Sequence, residues 1–304
     1  MSTTTTAPGS SQAPPRPPDR PRDRADRSAR RRTLGTAFVY AVLAVVALIY
    51  VYPFLITVAT SFKSDAEAVA SPLSLVPATW TTAAYERLFV RSDFPLWFQN
   101  SAIITVSVTI GRVLINSMAG YALARLQFRG RTVIFAGLVA VMAVPSVVLL
   151  IPKFLVVNQL GIYDSYAGMI VPLLADAAGI FIMKNFFESI PRSVEEAARI
   201  DGAGPFRTYW SVVLPMARPA LMTLVILSFQ GSWNELAHFI VASQDPELRT
   251  LTKGVAQLAS GALSQGSQYP LKLAAAAIMT IPVVVVFLVF QRRIMNVTTG
   301  AVKE

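Results

Sequence analysis

The sequence predicts an all-α polytopic membrane protein: six transmembrane helices with a helix–turn–helix between the fourth and fifth. Three observations carry that expectation. Of the 304 residues, 54% are hydrophobic and only 14% are charged, where a soluble domain carries about 25% charge. Several uncharged runs approach the ~20 apolar residues that a helix needs to cross a bilayer. The ~10-residue segments of alternating polarity that mark a membrane barrel are not visible. The chain has no cysteine and a single histidine, His238, which excludes a disulfide framework, a thiolate metal site and a histidine-rich cluster. No metal site is expected.

Residues 1–33 contain eight Arg against three Asp, half of the net charge of +10. This segment, rich in Pro, Ser and Arg, has too little apolar surface to fold alone. It reads as a disordered basic cytoplasmic tail whose charges fix orientation. RNA or acidic-lipid binding is the alternative, and the placement of half of the excess charge in one tail argues against a nucleic-acid partner. Thr33–Phe62 then carries no charge. It is far longer than the 7–15 residues of a signal-peptide core and lacks a convincing A-x-A site, so it reads as an uncleaved first span.

Six spans are expected near 34–61, 98–124, 132–154, 165–187, 212–236 and 272–291, making a transmembrane domain of 34–291 and a cytoplasmic tail of 292–304. Pro53, Pro145, Pro172, Pro219 and Pro282 fall inside them and predict kinks, since neighbouring helices can satisfy the carbonyls that proline frees. With the N-terminus inside, 19 of the 27 Lys and Arg residues lie on inward segments and seven on outward ones. That bias follows the positive-inside rule and places both termini in the cytoplasm.

The inward loop 190–212 holds the most informative stretch, "EEAARIDGAGPFRTYWSVVLP" (195–215). Ser193 and Glu196 have capping-box spacing, and Glu195 and Arg199 are spaced for an i, i+4 surface pair. Val194, Ala197 and Ala198 form a stripe nearly free of bulk, open to close approach by another protein. Gly202 suits the left-handed residue that ends a helix, and Pro205 the first turn of the next. Phe206, Tyr209, Trp210 and Val213 recur at 3–4 spacing, an amphipathic face for the membrane interface. The expected unit is either a helix–turn–helix rigidly continuous with the fifth span, able to transmit a partner's push, or an ordinary amphipathic loop tucked under the membrane.

The spacing E-A-A, three residues, Gly, nine residues, aliphatic, any residue, Leu-Pro is met by Glu196-Ala197-Ala198, Gly202, Val212 and Leu214-Pro215. It resembles the EAA loop of bacterial ABC importer permeases. The stretches "YALARLQFRGR", "LGIYDSYAGMIVPLL", "GIFIMKNFFESIP", "SFQGSWNEL" and "GAVKE" extend the resemblance over most of the chain. They are similar to the carbohydrate-uptake branch, in particular the smaller permease of maltose-type transporters. Val212 stands where that family usually has Ile. The resemblance implies that Glu196, Ala197, Ala198, Asp201, Gly202 and Pro215 belong to the loop that docks into an ATP-binding subunit dimer, and that Gly300–Lys303 reach toward the same dimer. It further implies a second permease subunit and an extracellular solute-binding protein, with ATP and Mg bound by the ATPase and no cofactor on this chain.

The residues themselves agree that ATP chemistry lies elsewhere. No G-x-x-x-x-G-K-[ST] phosphate loop is present, and no Ser/His/Asp or paired-carboxylate arrangement appears. His238, alone past the fifth span, is either a structural or solvated residue or a proton relay. Polar residues inside spans are costly and so mark an interior pathway. Arg112, Asn116 and Asp176 are such residues, with Arg112 and Asp176 either paired or satisfied separately. Gln230, Trp233, Asn234 and Glu235 end the fifth span and suit sugar hydroxyls and ring faces, although Trp233 also fits as an interfacial anchor. The expected function is therefore the permease subunit of an ATP-driven importer for a sugar or oligosaccharide in the bacterial cell membrane. The alternatives are an ABC importer permease for another polar solute, such as a polyamine or glycerol phosphate, and an ion-coupled secondary transporter. No internal repeat supports the last.

Overall fold

A chain in hydrocarbon must satisfy its backbone polar groups within itself, and among the described residues all regular structure is helical. The structure is a computed structural model that describes residues 22–261 and 268–300, with side chains from 36 to 261 and 268 to 291. Fifteen α-helical segments follow in order: α1 (Arg22–Ser61), α2 (Asp65–Ala70), α3 (Ala83–Val90), α4 (Phe94–Arg125), α5 (Arg131–Met142), α6 (Leu150–Gln159), α7 (Tyr166–Ile170), α8 (Ala177–Ser189), α9 (Arg192–Ile200), α10 (Pro205–Thr208), α11 (Leu214–Met216), α12 (Arg218–Trp233), α13 (Ala237–Ala242), α14 (Leu251–Ser260) and α15 (Tyr269–Gly300).

Three helical stretches are long and apolar enough to cross a membrane unaided: Thr36–Ser61, Phe94–Arg125 and Tyr269–Gln291. Three further spans are bent pairs, and counting each pair as one gives the expected six. Arg131–Met142 and Ser146–Gln159 meet at 107°, Tyr166–Leu173 and Ala177–Ser189 at 41°, Pro205–Met216 and Arg218–Trp233 at 81°. The third, fourth and fifth spans, where Pro145, Pro172 and Pro219 were expected to cause kinks, are broken outright. Pro145 and Pro219 each remove a backbone donor at a break, while Asp176 turns its carboxylate to cap a new helix, accepting from Gly179 N–H at 2.8 Å. Pro53 and Pro282 lie inside continuous helices.

The tail boundary also differs from expectation. Helix α1 begins at Arg22, so residues 22–33 are helical; after Pro21 no proline intervenes until Pro53, and Arg and Ala are strong helix formers. Residues 1–21 lie outside the described residues. At the other terminus α15 continues to Gly300 where a tail from 292 was expected, and the positions expected to contact an ATPase at 301–303 lie outside the described residues.

The chain divides into two units, Met1–Pro53 and Phe54–Glu304. The first holds most of the apolar length of α1, with Phe38, Leu43 and Ile49 all exposed; apolar residues all round a helix suit hydrocarbon. In the second, α4 is central and packs most extensively on α8 and α12. Its Gly120 admits the backbone of α8: a Cβ there would lie 2.7 Å from Met183 Cβ and 2.9 Å from Lys184 N. Small residues let membrane helices approach in this way.

Two apolar clusters cap the ends of that assembly. Tyr121, Phe187, Tyr209 and Val213 are buried beside the C-terminal end of α4, and Phe94, Trp97, Trp233 and Leu251 near its start. The start of α4 is also stitched by polar groups. Asn100 donates to the carbonyls of Glu247 and Arg249 at 2.7 and 2.9 Å and accepts from Tyr166 Oη at 2.6 Å. Asp164 accepts from Ser243 Oγ, Gln244 N–H and Asp245 N–H. This end is therefore closed by hydrogen bonds between loops and from loops to α4, while α9 lies at the other end of α4, beside Arg125.

Candidate functional site

Helix α9 is short, nine residues, and below the length at which a peptide helix is stable alone. Its position comes from what it packs on. Val194, Glu195 and Ala198 turn inward and are partly or fully buried, whereas Ser193, Glu196, Ala197 and Ile200 are exposed. Those four fall at i, i+3, i+4 and i+7, one continuous stripe along the helix. The expected stripe of Val194, Ala197 and Ala198 is therefore split, with only Ala197 outward. Val194 is used instead to pack on the Tyr209–Val213 cluster.

The end of α9 follows the sequence closely. Gly202 has φ +78°, Gly202 N–H donates to Arg199 O at 3.0 Å and Ala203 N–H to Ala198 O at 2.9 Å. That pair of bonds is the Schellman motif. Pro205 sits in the first turn of α10, as expected. The start of α9 does not: Pro191 is its N-cap, without a side-chain cap bond. Ser193 lies inside the helix, so the expected capping box with Glu196 does not form.

Glu195 is the largest departure. In place of a surface pair with Arg199, it faces inward and meets Arg125, the last residue of α4, with Nε and Oε1 3.0 Å apart and side chains 5% and 6% exposed. The N–H is not aimed at the oxygen, and neither atom makes a directed hydrogen bond, so the attraction is between charges. Arg125 spends its Nη2 on the carbonyls of Phe187 and Ile190. Beside the pair lies a cavity of about 350 Å³, lined by Arg125, Arg131, Arg192, Glu195, Glu196 and Arg199. Four guanidinium groups against two carboxylates leave it net positive.

Past α10 the chain forms a π turn, Tyr209–Val213, and then the 81° corner before α12. Phe206 and Trp210 are exposed and stack with planes 9° apart, while Tyr209 and Val213 are buried. The single amphipathic face expected of these four residues is two opposed i, i+4 pairs. The sharp corner at Ala217 also replaces the rigid continuity expected between this segment and the fifth span. Asp201, exposed, caps the end of α9, and Pro215 is exposed within α11.

The interior polar residues gather around the middle of α4. Arg112 donates from Nε to Leu173 O, and its Nη1 lies 3.3 Å from where a Cβ on Gly231 would stand. Asp176 and Glu235 both act on it electrostatically, but Asp176 makes no ion pair with it; its carboxylate caps α8. Asn116 is fully buried, accepts from Asp176 N–H at 3.3 Å and leaves its Nδ2 without a partner. Gln230 and Asn234 are exposed on one face of α12.

Trp233 turns away from that face. It is buried, donates from Nε1 to Met279 O at 3.0 Å and stacks on Phe229, the setting of a core residue. Buried His238 has its Nε2 3.2 Å from Met169 O, a structural setting. Sequence reading missed Arg125, because a basic residue at the end of a span is indistinguishable from the inward charge bias. It also gave Glu235 no part beside Arg112, which only the folding of α4 against α12 reveals.

A family model described as "binding-protein-dependent transport system inner membrane component" matches residues 116–296, a segment that includes all of α9 through α12. The chain is 35% identical over 260 residues, 85% of each sequence, to the diacetylchitobiose uptake system permease protein NgcG of Streptomyces coelicolor. It is 29% identical over 275 residues to the arabinooligosaccharides transport system permease protein AraQ of Halalkalibacterium halodurans, covering 89% of this chain and 95% of that one. Among solved structures it resembles a chain of a bacterial ABC transporter involved in the import of the acidic polysaccharide alginate, with TM-score 0.75, 28% identity, and 86% and 96% coverage. With its exposed α9 face, six passes when each bent pair counts as one, and this match over more than half its length, the chain belongs to the binding-protein-dependent transport system inner membrane components, the permeases of ABC importers.

Proposed function

We propose that the chain is the membrane-pathway subunit of an ATP-driven importer of a sugar or oligosaccharide, with α9 on the cytoplasmic side as its coupling helix. The observation that carries this reading is the exposed stripe Ser193, Glu196, Ala197 and Ile200 on a helix braced from behind. A face with one large apolar side chain, Ile200, 87% exposed, between small residues and a carboxylate fits a cleft on another protein. The partners are an ATP-binding subunit dimer that carries ATP and Mg, a second permease subunit and an extracellular solute-binding protein, all within a bacterial membrane. The roles of the relatives in uptake of diacetylchitobiose and arabinooligosaccharides, and of the structural neighbour in import of the acidic polysaccharide alginate, support a carbohydrate. Arg112, Asn116, Asp176, Gln230 and Asn234 supply the polar groups of the path, suited to a hydroxyl-rich solute.

Copurification and uptake test it together. The wild-type chain brings down an ATPase subunit from detergent-solubilised membranes, and Glu196→Lys and Gly202→Pro lose it. Reconstituted uptake is screened with neutral oligosaccharides against a polyamine and a phosphorylated polyol. Absence of ATPase capture by the wild type, or uptake driven by an ion gradient without ATP, contradicts the reading.

A further inference from the structure

Arg125 joins three elements with one guanidinium. It ends α4, its Nη2 donates to Phe187 O and Ile190 O at the end of α8, and its Nε faces Glu195 in the first turn of α9. The charges are well placed for the helices themselves, a cation at the C-terminus of α4 and an anion at the N-terminus of α9. Yet a buried ion pair is a poor source of net stability, because desolvation offsets most of the attraction. What such a pair does is fix position, and the planar fork of arginine holds several oxygens in one geometry where lysine holds a point.

The covalent route from α9 to α12 is, by contrast, poorly suited to carrying force. It passes the left-handed Gly202, the π turn Tyr209–Val213 and the 81° corner at Ala217. A second non-covalent tie bypasses it: Tyr209 Oη lies 2.8 Å from Ser117 Oγ on α4, about two helical turns from Arg125. Helix α4 in turn packs on α8 and α12 and carries Arg112 and Asn116.

We infer that Arg125 and Glu195 are the positioning pair through which movement of α9 reaches α4 and α8, and thereby the polar interior. The inference rests on the coupling role of α9 proposed above. Arg125 touches neither solute nor nucleotide; it acts through the helices it clamps.

The test measures solute imported per ATP hydrolysed by the assembled importer in liposomes. Three variants are compared: Arg125→Lys, the double Arg125→Met/Glu195→Met, and Arg129→Gln as a control that removes an exposed charge from the same loop. The double variant leaves neither charge buried alone, the usual cause of misfolding when one partner is removed. Both tie variants are expected to capture the ATPase subunit at wild-type yield while import per ATP falls about tenfold, within the usual range of coupling between sites. Arg125→Lys, which keeps charge but not the fork, decides the matter if the double variant does not fold. Import per ATP equal to wild type in the folded tie variants overturns the inference and leaves the docking role of α9 intact. Loss of ATPase capture in parallel with import also overturns it, since the pair then only shapes the docking face. Failure of the docking role itself shows separately, as absence of ATPase capture by the wild-type chain.

Discussion

The hydroxyl oxygens of Ser117 and Tyr209 lie 2.8 Å apart, both inside the protein at 1% and 3% exposure, and join the middle of α4 to the π turn that follows α10. Tyr121 and Phe187 surround the same ring, with centroids 5.1 and 6.5 Å away. Ser117 also donates to Val113 O, so it keeps a partner if the phenol is removed. Tyr209→Phe is therefore expected to cost about 1 kcal/mol, one net hydrogen bond. Tyr209→Ala, which also leaves a cavity, is expected to cost about 3–5 kcal/mol. Thermal unfolding of the two purified variants in the same detergent reads the difference.

Two glycines two residues apart should respond oppositely to alanine. Gly202 has φ +78° and no atom within 4 Å of an added Cβ, so the penalty at 202 is purely conformational, about 1–2 kcal/mol. Gly204 has φ −72° and equally open space, so Gly204→Ala should be neutral or slightly stabilising through the unfolded chain. ATPase-subunit capture should weaken for Gly202→Ala and hold for Gly204→Ala. Equal loss in both would mean that flexibility of the loop, and not the left-handed turn, is what matters.

Solute recognition on α12 should follow exposure and not residue type. Trp233→Phe removes the bond to Met279 O while keeping the ring stack, and is expected to cost about 1 kcal/mol of stability with solute preference unchanged. Gln230→Ala and Asn234→Ala, on the exposed face, are expected to raise the KM for solute by about three- to tenfold, the value of one lost hydrogen bond. Uptake kinetics over a sugar panel distinguish the two behaviours.

Asp164 should give the loop closure at the start of α4 an acid-sensitive component. Its carboxylate accepts from Ser243 Oγ at 2.6 Å and from the N–H groups of Gln244 and Asp245, and the bond from Ser243 does most to hold its pKa below the ordinary carboxylate value. Because the folded pKa is the lower one, the stabilisation is fully present above the unfolded value of about 3.9 and is lost as pH falls through the folded pKa. Asp164 has φ +53°, a conformation that asparagine also tolerates. Asp164→Asn should thus cost about 1–2 kcal/mol at neutral pH, since the site is partly open to water, and lose that acid dependence. Unfolding curves at pH 7 and pH 3.5 compare them.

The turn chemistry of the α9 region was readable from local sequence because local physics decides it. Glycine alone enters the left-handed region without cost, and proline suits a first helical turn wherever the helix packs. The three unbroken spans were readable for a similar reason: length and freedom from charge are properties of a segment. The broken ones were not. Pro53 and Pro145 look alike in a hydropathy profile, yet one sits in a continuous helix and the other at a 107° break.

Facing is where local reasoning failed. Whether Ala197 or Ala198 turns outward depends on where Tyr209 and Val213 present a surface, and those residues reach it only through a π turn. Glu195 had two basic residues within chemical reach: Arg199 one turn away in sequence, and Arg125 seventy positions earlier at the end of another helix. Helical spacing favours the first, but the fold buries Glu195 against the second, where charge attraction is less screened by water. Sequence by itself determined that this chain lives in a membrane, that it crosses through six mainly apolar stretches, and that one charged joint projects from them, since each is set by composition over a single segment. Tertiary packing decided which side of that joint is free and which groups hold it, because burial and partner choice exist only between segments.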